Sequence, residues 1–165
     1  MDFVLVRIDD RLVHGQVSVA WGSRLKPDRI VLVNDDVACC DWKRKLYGAT
    51  DSLGAEIVVR SIESFVAERR GAEAGASRDF LIVASPGDLL ALIRGGLAID
   101  RANVGGMHFS EGKRKILEYV FVDDDDVAAL RAIIAAGVRL EAQDVPQSPS
   151  YDVECALDRV ECPGQ

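Results

Sequence analysis

A chain of 165 residues is long enough to form one domain with a sizeable hydrophobic core. Apolar residues make up 48% of it and charged residues 28%, and its longest apolar runs have the length of strands, so we predict a globular protein with no membrane span. The net charge of −7 argues against a nucleic-acid-binding protein, whose surface would be basic. Because the first residues lack the charged and apolar regions of a signal peptide, we expect a cytoplasmic protein.

Short apolar or alternating runs predict seven strands along the chain. They lie at residues 3–8, 30–33, 55–60, 80–84, 101–104, 118–122 and 138–145. Segments with helical spacing or helix-start residues separate most of them, at 15–25, 37–49, 62–70, 86–94 and 127–136. This alternation predicts a three-layer α/β/α fold with a mostly parallel, open sheet of about seven strands and right-handed crossovers.

Two of the predicted helices carry more specific expectations. In the helix at 37–49, the basic run 43–45 should face solvent, and the bulky apolar side chains should face the core. These are Trp42, Leu46 and Tyr47. The acidic run 123–126 is predicted to begin a helix, where negative charge is favourable, and not to bind a metal.

The end of the chain is predicted to be the least ordered part. Residues 138–145 alternate between apolar and polar, as a half-exposed edge strand does. From Pro146 onward, proline, serine and glycine predict a loosely structured tail. No cysteine pair has the spacing of a zinc site, and we expect structural or incidental roles for all of them. The cysteines are Cys39, Cys40, Cys155 and Cys162.

The loop after the first strand concentrates the chemistry of the chain. It places one imidazole, two guanidiniums and two carboxylates within eight residues, at the carboxyl end of a strand, where parallel sheets bind ligands. The side chains are those of Arg7, Asp9, Asp10, Arg11 and His14. The helix that follows directs free N–H groups towards this loop, which suits an anion.

These residue types suit a phosphoryl group carried on His14. A neutral imidazole is a nucleophile near pH 7, and guanidiniums bind phosphate oxygens, so Arg7 and Arg11 are candidate clamps. Asp9 or Asp10 would orient the ring or hold an arginine. The backbone amides near Gly15 and Gln16 would face the phosphate. The alternative is an ordinary surface histidine among solvated ion pairs worth less than about 1 kcal/mol.

Loops after other strands should lie at the same edge of the sheet. Asp35 would pair with an arginine of the first loop, and Ser85 would hydrogen-bond the phosphoryl group. Gly105 and Gly106 would allow close backbone approach or a positive φ. The alternative for each of these residues is simple capping or turn chemistry. We expect His108 to be a surface loop residue.

The first loop resembles the active-site signature of the IIB components of the mannose/fructose/sorbose family of the sugar phosphotransferase system (PTS). The signature is Arg7-Ile-Asp-Asp-Arg-Leu-Val-His14-Gly-Gln-Val. Three further segments match in order: Ile30-Val-Leu-Val-Asn-Asp-Asp-Val-Ala38, Asn103-Val-Gly-Gly-Met-His108 and Leu140-Glu-Ala-Gln-Asp-Val-Pro146. The resemblance implies a IIB domain over residues 1–146, and it leaves 147–165 as a tail of the same domain or a loosely ordered segment.

The resemblance implies a phosphocarrier. His14 would take a phosphoryl group on Nδ1 from a phosphohistidine of a IIA domain, and would pass it to a sugar transported by a membrane IIC/IID pair. No cofactor or metal is implied, because arginines and amides neutralise the phosphate. The protein would meet the membrane only through its partners. The last strand of the sheet would be antiparallel.

The surface around His14 is the expected contact with IIA. It would include Val13, Val17 and Trp21 where these are exposed. The sequence indicates neither the sugar nor the oligomeric state.

Two alternatives use the same loop differently. A regulatory phosphocarrier would share the chemistry of His14 but end on a regulatory target in place of a sugar. A receiver domain phosphorylated on aspartate would use the Asp9-Asp10 pair to bind Mg²⁺. That class needs an aspartate at the end of the third strand and a lysine at the end of the fifth, where this chain has Arg60-Ser61 and Gly105-Gly106. A dinucleotide enzyme is not favoured, because no GxGxxG follows a strand.

Overall fold

The computed structural model describes residues 3–15, 17–49, 54–71 and 77–161. In this part of the chain the strands are β1 (Phe3–Asp9), β2 (Arg29–Val33), β3 (Glu56–Arg60), β4 (Asp79–Val83), β5 (Arg101–Gly106), β6 (Arg114–Leu117), β7 (Val120–Val122), β8 (Arg139–Ala142) and β9 (Tyr151–Asp152). The helices are a π-helix (Val17–Trp21), α1 (Gly22–Leu25), α2 (Asp35–Ala38), α3 (Asp41–Gly48), α4 (Ile62–Gly71), α5 (Pro86–Arg94), α6 (Asp124–Ala135) and α7 (Val153–Glu161).

Seven strands form one sheet with the order β3-β2-β4-β1-β5-β8-β9. All neighbours are parallel except the last pair, β8 and β9, which is antiparallel. The prediction of a mostly parallel α/β sheet with an antiparallel edge strand is confirmed. The first strand is central, between β4 and β5, so the loop that follows it meets the loops of both neighbours.

Both faces of the sheet carry hydrophobic core. Strand β4 shows this directly, because its five residues are all buried: Leu81 and Val83 pack on one face, and Phe80 and Ile82 pack on the other. Such continuous apolar runs are typical of parallel strands covered on both sides. None of the helices described is long and apolar enough to cross a membrane.

The predicted strand at 118–122 does not join the main sheet. Val120–Val122 pairs antiparallel with Arg114–Leu117 in a separate two-stranded sheet. The chain turns back between Leu117 and Val120, so its partner is its own neighbour in sequence. The seventh place in the main sheet belongs to β9. Strand β8 therefore lies inside the edge, and the prediction that it is the edge strand is wrong.

The prediction of a loosely structured tail is wrong for the residues that form β9 and α7. Val153, Ala156 and Leu157 are buried, and Val153 and Leu157 belong to the main core cluster. Their spacing of three and four residues puts them on one face of a helix. Because this pattern is short and follows two prolines, the sequence predicted a loop for the segment.

The predicted helix at 37–49 is two helices, and the break changes which residues face out. The Asn34 side chain caps α2, and Cys40 is extended at the junction with α3. Trp42 is 63% exposed and Leu46 is 54% exposed, so the prediction that they face the core is wrong. Tyr47 packs against the core as predicted.

The acidic run at 123–126 begins a helix, as predicted. Asp123 caps α6, and Asp126 completes a reciprocal capping box with it. Lys113 also pairs with Asp126 at 2.8 Å. No group of three or more potential metal-ligating side chains is found among the described residues.

Candidate functional site

The loop after β1 is held in shape by its own backbone and by two apolar anchors. The Leu12 N–H donates to the carbonyl of Asp9 at 2.9 Å, and the Asp10 N–H donates to the carbonyl of Gly106 at 3.0 Å. Leu12 has a φ of 58°, in the left-handed region that non-glycine residues rarely adopt. Burial of Leu12 and Val13 in the core holds this strained turn in place.

Asp9 is the centre of the site and is fully buried. Its Oδ2 accepts hydrogen bonds from Arg7 Nη2 at 2.9 Å and from Arg7 Nε at 3.2 Å. Its Oδ1 accepts from the backbone N–H of Arg11 at 3.2 Å and from Arg11 Nε at 3.4 Å. The same Oδ2 lies 3.4 Å from Nε2 of His14. One carboxylate thus holds both arginines and orients the imidazole.

Arg7 uses every N–H of its guanidinium inside the protein. Besides the two bonds to Asp9, Nη1 donates to Asn103 Oδ1 at 2.5 Å and to the Gln143 carbonyl at 3.0 Å, and Nη2 donates to the Asp144 carbonyl at 3.0 Å. The side chain is 1% exposed. Burial lowers the pKa of Arg7, opposed by the charge of Asp9. Because no N–H remains for a ligand, Arg7 supports the site and does not clamp a phosphate.

Arg11 has the looser guanidinium of the two. Its side chain is 36% exposed, and its contacts are long: 3.4 Å from Nε to Asp9 Oδ1 and 3.7 Å from Nη2 to Asp144 Oδ1. The pair with Asp144 is partly exposed on both sides, and pairs of this kind contribute little stability. Arg11 can therefore exchange these contacts for phosphate oxygens, which guanidinium binds in a bidentate manner.

The environment of His14 favours a neutral ring. Partial burial lowers its pKa, the charge of Asp9 opposes this, and the charge of Arg11 adds to the lowering. A neutral imidazole is the nucleophilic form. The Asp9 carboxylate beside Nε2 favours the tautomer with its proton on Nε2, which places the lone pair on Nδ1.

The two glycines at the end of β5 have different neighbours. A Cβ on Gly105 would lie 1.8 Å from Arg7 Cζ, so this residue must be glycine for the buried guanidinium to fit. A Cβ on Gly106 would lie 3.3 Å from Arg11 Nη2. Close approach, not a positive φ, explains both. A Cβ on Gly15 would meet no atom within 4 Å.

Other predicted site residues have structural partners. Asp35 Oδ1 accepts a hydrogen bond from the Ile62 N–H at 2.8 Å and so caps α4, and the expected ion pair with an arginine of the first loop is not found among the described residues. Ser85 Oγ accepts from the Asp88 N–H at 3.1 Å and caps α5. Both match the alternative of simple capping.

Two further predictions concern neighbours of His14. Asp10 contacts His108 and neither orients the His14 ring nor holds an arginine. Gln16 lies outside the described residues.

Sequence reasoning missed the residues that surround Arg7. Asn103 is a polar residue in a buried strand, a signal that could have identified it. Gln143 and Asp144 act on Arg7 through their carbonyl groups, which no side-chain pattern reveals. Trp21 lies with its ring 5.5 Å from Arg7 Cζ and donates from Nε1 to the Asp144 carbonyl at 3.0 Å.

Two of the three side chains that the contact surface would include if exposed do not meet that condition. Val13 and Trp21 are buried in the core. The side chain of Val17 lies outside the described part of the chain.

Comparisons with known proteins find relatives over most of the chain. The family model described as PTS system sorbose subfamily IIB component matches residues 3–162. The N-acetylgalactosamine-specific IIB component 1 of Escherichia coli is 42% identical over 149 residues, which cover 88% of this chain and 92% of that protein. The sorbose-specific EIIB component of Lacticaseibacillus casei is 32% identical over 160 residues, covering 97% and 98% of the two chains.

Solved structures show the same fold. The IIB domain of the sorbose permease from Klebsiella pneumoniae has a TM-score of 0.88 at 33% identity and covers 98% of this chain and 97% of its own. The Escherichia coli N-acetylgalactosamine IIB component 1 has a TM-score of 0.85 at 40% identity, with coverages of 92% and 99%.

The fold of this chain and nearly all of its length thus have counterparts among PTS IIB components. The chain belongs to the sorbose subfamily of IIB components of the sugar phosphotransferase system. It is a PTS IIB phosphocarrier in sugar uptake, and its enzyme class is sugar phosphotransferase.

Proposed function

We propose that Nδ1 of His14 accepts a phosphoryl group from a phosphohistidine of a IIA domain and then transfers it to a sugar brought in by IIC and IID partners. The observation that carries this proposal is the contact between Asp9 Oδ2 and His14 Nε2 at 3.4 Å. It orients the ring with Nε2 against a carboxylate, and this supports Nδ1 as the nucleophile.

The transfer is an in-line exchange of one N–P bond for another. The bond between phosphorus and the donor histidine breaks as the bond to His14 Nδ1 forms, and the Nε2 proton stays on the side of Asp9. Arg11 neutralises the equatorial oxygens, so positive charge comes from the chain itself. The backbone N–H groups of Gly15 and Gln16 are proposed to donate further hydrogen bonds to the phosphoryl oxygens.

The donor is supported by proteins that join the two components. The mannose-specific EIIAB component of Escherichia coli is 31% identical over 157 residues, and this chain spans 49% of its length. Its name places IIA and IIB functions in one protein. A IIA donor phosphorylated from phosphoenolpyruvate would place the reaction in the cytoplasm.

The docking surface is proposed to include two exposed apolar side chains beside the loop. Val19 in the π-helix is 56% exposed, and Phe109 after β5 is 67% exposed. Contact with IIA would be transient and modest in area, as the carrier must leave to reach its acceptor.

The acceptor is proposed to be a hexose or an N-acetylhexosamine. The relatives are specific for sorbose, N-acetylgalactosamine or mannose. The receiver-domain interpretation is not retained, because the Asp9 carboxylate is occupied by Arg7, Arg11 and His14.

Intact mass measurement with ³¹P NMR tests the nucleophile. The protein is incubated with phosphoenolpyruvate, enzyme I, HPr and a mannose-family IIA domain. We expect one acid-labile phosphoryl group on the wild type and none on His14→Ala. The chain has two histidines, so His108→Ala is the matched control and should still take up one group at the end point. Full phosphorylation of His14→Ala would disprove the assignment.

A further inference from the structure

Asp10, which follows the central carboxylate, is held by the segment after β5. Its Oδ2 accepts a hydrogen bond from the backbone N–H of His108 at 2.6 Å, and its Oδ1 lies 2.6 Å from His108 Nδ1. The Asp10 N–H donates to the Gly106 carbonyl at 3.0 Å. Three contacts therefore join one residue of the His14 loop to residues 106–108.

Stability alone gives little reason for the side-chain contact. His108 is 55% exposed and Asp10 is 35% exposed, and pairs of this kind contribute at most about 1 kcal/mol. Its position in the chain matters more, because Asp10 directly precedes Arg11. The backbone of Asp10 sets the point from which the Arg11 side chain departs.

The placement of the Arg11 guanidinium depends on the backbone of Asp10 more than the placement of the Arg7 guanidinium does. The contacts of its guanidinium are long, at 3.4 and 3.7 Å, whereas Arg7 is fixed by five hydrogen bonds. Gly106 also lies directly against Arg11, since a Cβ there would be 3.3 Å from Nη2. The segment that holds Asp10 thus also borders the Arg11 guanidinium.

We propose that His108 is a positioning residue for phosphoryl transfer at His14. Its Nδ1 holds the Asp10 carboxylate, and this contact fixes the place from which Arg11 meets the phosphoryl oxygens. The inference rests on the proposed function of His14 and adds a residue that touches no reacting atom. The role needs a donor at the position of Nδ1. The side-chain nitrogen of asparagine matches that position, whereas the nitrogen of glutamine matches Nε2.

Single-turnover transfer from a phosphorylated IIA domain tests this role. The variants are His108→Ala, His108→Asn and His108→Gln, with Ser110→Ala as the control in the same exposed loop. We expect the alanine and glutamine variants to lower the maximal transfer rate by roughly five- to fiftyfold, since displaced catalytic groups carry penalties of this order. The asparagine and Ser110→Ala variants should transfer at nearly the wild-type rate. The IIA concentration at half-maximal rate should not change.

Several results would overturn the proposal. Equal maximal rates for all variants would show that the contact has no role. A raised half-saturating concentration with an unchanged maximal rate would make His108 a docking residue. Equal losses in the asparagine and glutamine variants would also exclude the role assigned to Nδ1. In an Arg11→Ala background, His108→Ala should add little further loss, and full additivity would show that His108 does not act through Arg11.

The design separates this proposal from the assignment of His14. If the wild type accepts no phosphoryl group, or if His14→Ala accepts one, the proposed function fails. If the wild type is phosphorylated on His14 and His108→Ala matches its rate, only the role of His108 fails. Circular dichroism and thermal unfolding of each variant confirm that the compared proteins are folded.

Discussion

At the scale of single residues, the site depends on how one buried carboxylate is shared. Asp9 balances the buried charge of Arg7, and a buried charge without a partner is strongly unfavourable. The same carboxylate orients His14. Asp9 therefore contributes both to the stability of the fold and to the orientation of His14, and changes around Arg7 should affect both.

Gly105→Ala should expel Arg7 from its position. The new Cβ would lie 1.8 Å from Arg7 Cζ, and the displaced guanidinium would lose its buried pairing with Asp9. We expect a loss of about 3–5 kcal/mol in the free energy of unfolding, measured by urea denaturation. Gly15→Ala is the matched control, because its Cβ meets no atom within 4 Å. Equal effects of the two substitutions would contradict the packing described here.

The pH dependence of the site follows from the lowered pKa of His14. Burial, the first cause, disfavours the charged ring in the folded state, whereas the unfolded chain takes up a proton near pH 6.5. Stability should therefore be unaffected above this pH and fall as the pH drops from about 6.5 towards the folded pKa. Subtracting the pH-stability profile of His14→Ala from that of the wild type measures this effect. The phosphoryl acceptance rate should likewise persist below pH 6.5 and then decline as the ring is protonated. A decline that begins above pH 7 would contradict the lowered pKa.

At the scale of elements, the sequence indicated the buried strands well, but it indicated the pairing of β7, the helix break before α3 and the C-terminal segment poorly. Runs such as that of β4 are predictable because burial on both faces requires uninterrupted apolar residues. The pairing of Val120–Val122 with Arg114–Leu117 depends on a local turn and not on composition. The exposed face of α3 results from the break at Cys40, which changes the helical phase. A pattern of apolar spacing cannot reveal such a break.

The candidate site was predictable only in part, for a similar reason. The side chains of the first loop are close in sequence, so their types alone indicated a phosphate site. The partners of Arg7 lie about 100 to 140 residues away, and two of them contribute only carbonyl groups. Such contacts depend on the register of β5 against β1 and of β8 against β5. Only the structure shows that every N–H of the Arg7 guanidinium has a partner within the protein. This is the observation that makes Arg7 a supporting residue and not a phosphate clamp.

Two leucine substitutions test the helices that the sequence misjudged. Leu157 in α7 is 1% exposed and belongs to the core, whereas Leu46 in α3 is 54% exposed. Leu157→Ala should reduce the free energy of unfolding by about 2–5 kcal/mol, because it leaves a cavity. Leu46→Ala should change it by less than about 0.5 kcal/mol. Urea denaturation compares the pair directly, and a small effect at Leu157 would mean that α7 is not part of the core.

At the scale of the whole molecule, the parallel sheet separates chemistry from a structural ion cluster. His14 lies beyond the carboxyl ends of the strands. At the opposite edge, the buried Asp79 begins β4 and accepts hydrogen bonds from Arg29, Ser77 and Arg69. Burial alone would raise the pKa of Asp79, but these hydrogen bonds outweigh it and lower the pKa to about 2.

Asp79 should therefore control part of the acid stability of the fold. Its contribution is present above the unfolded pKa near 4, and most of it is lost as the pH falls to the folded pKa of about 2, where the folded carboxylate begins to be protonated as well. We expect about 2 kcal/mol to disappear over this interval in the wild type and not in Asp79→Asn. Urea denaturation between pH 2 and pH 7 measures it. Phosphorylation of folded Asp79→Asn should equal that of the wild type, and a reduced end point would contradict the separation of the two edges.

The saturation of Arg7 has a further consequence for the phosphorylated carrier. Arg7 and Asp9 neutralise each other, so among the described residues of this loop Arg11 is the arginine left to face the proposed phosphoryl group, whose charge approaches two negative units. In the phosphorylated loop, the positive charge would then be smaller than the negative charge of the phosphoryl group. We expect this incomplete neutralisation to keep the group-transfer potential of the proposed phosphohistidine high, because full neutralisation would stabilise it and slow its onward transfer. We thus expect the protein to bind the phosphoryl group strongly enough to accept it and weakly enough to transfer it.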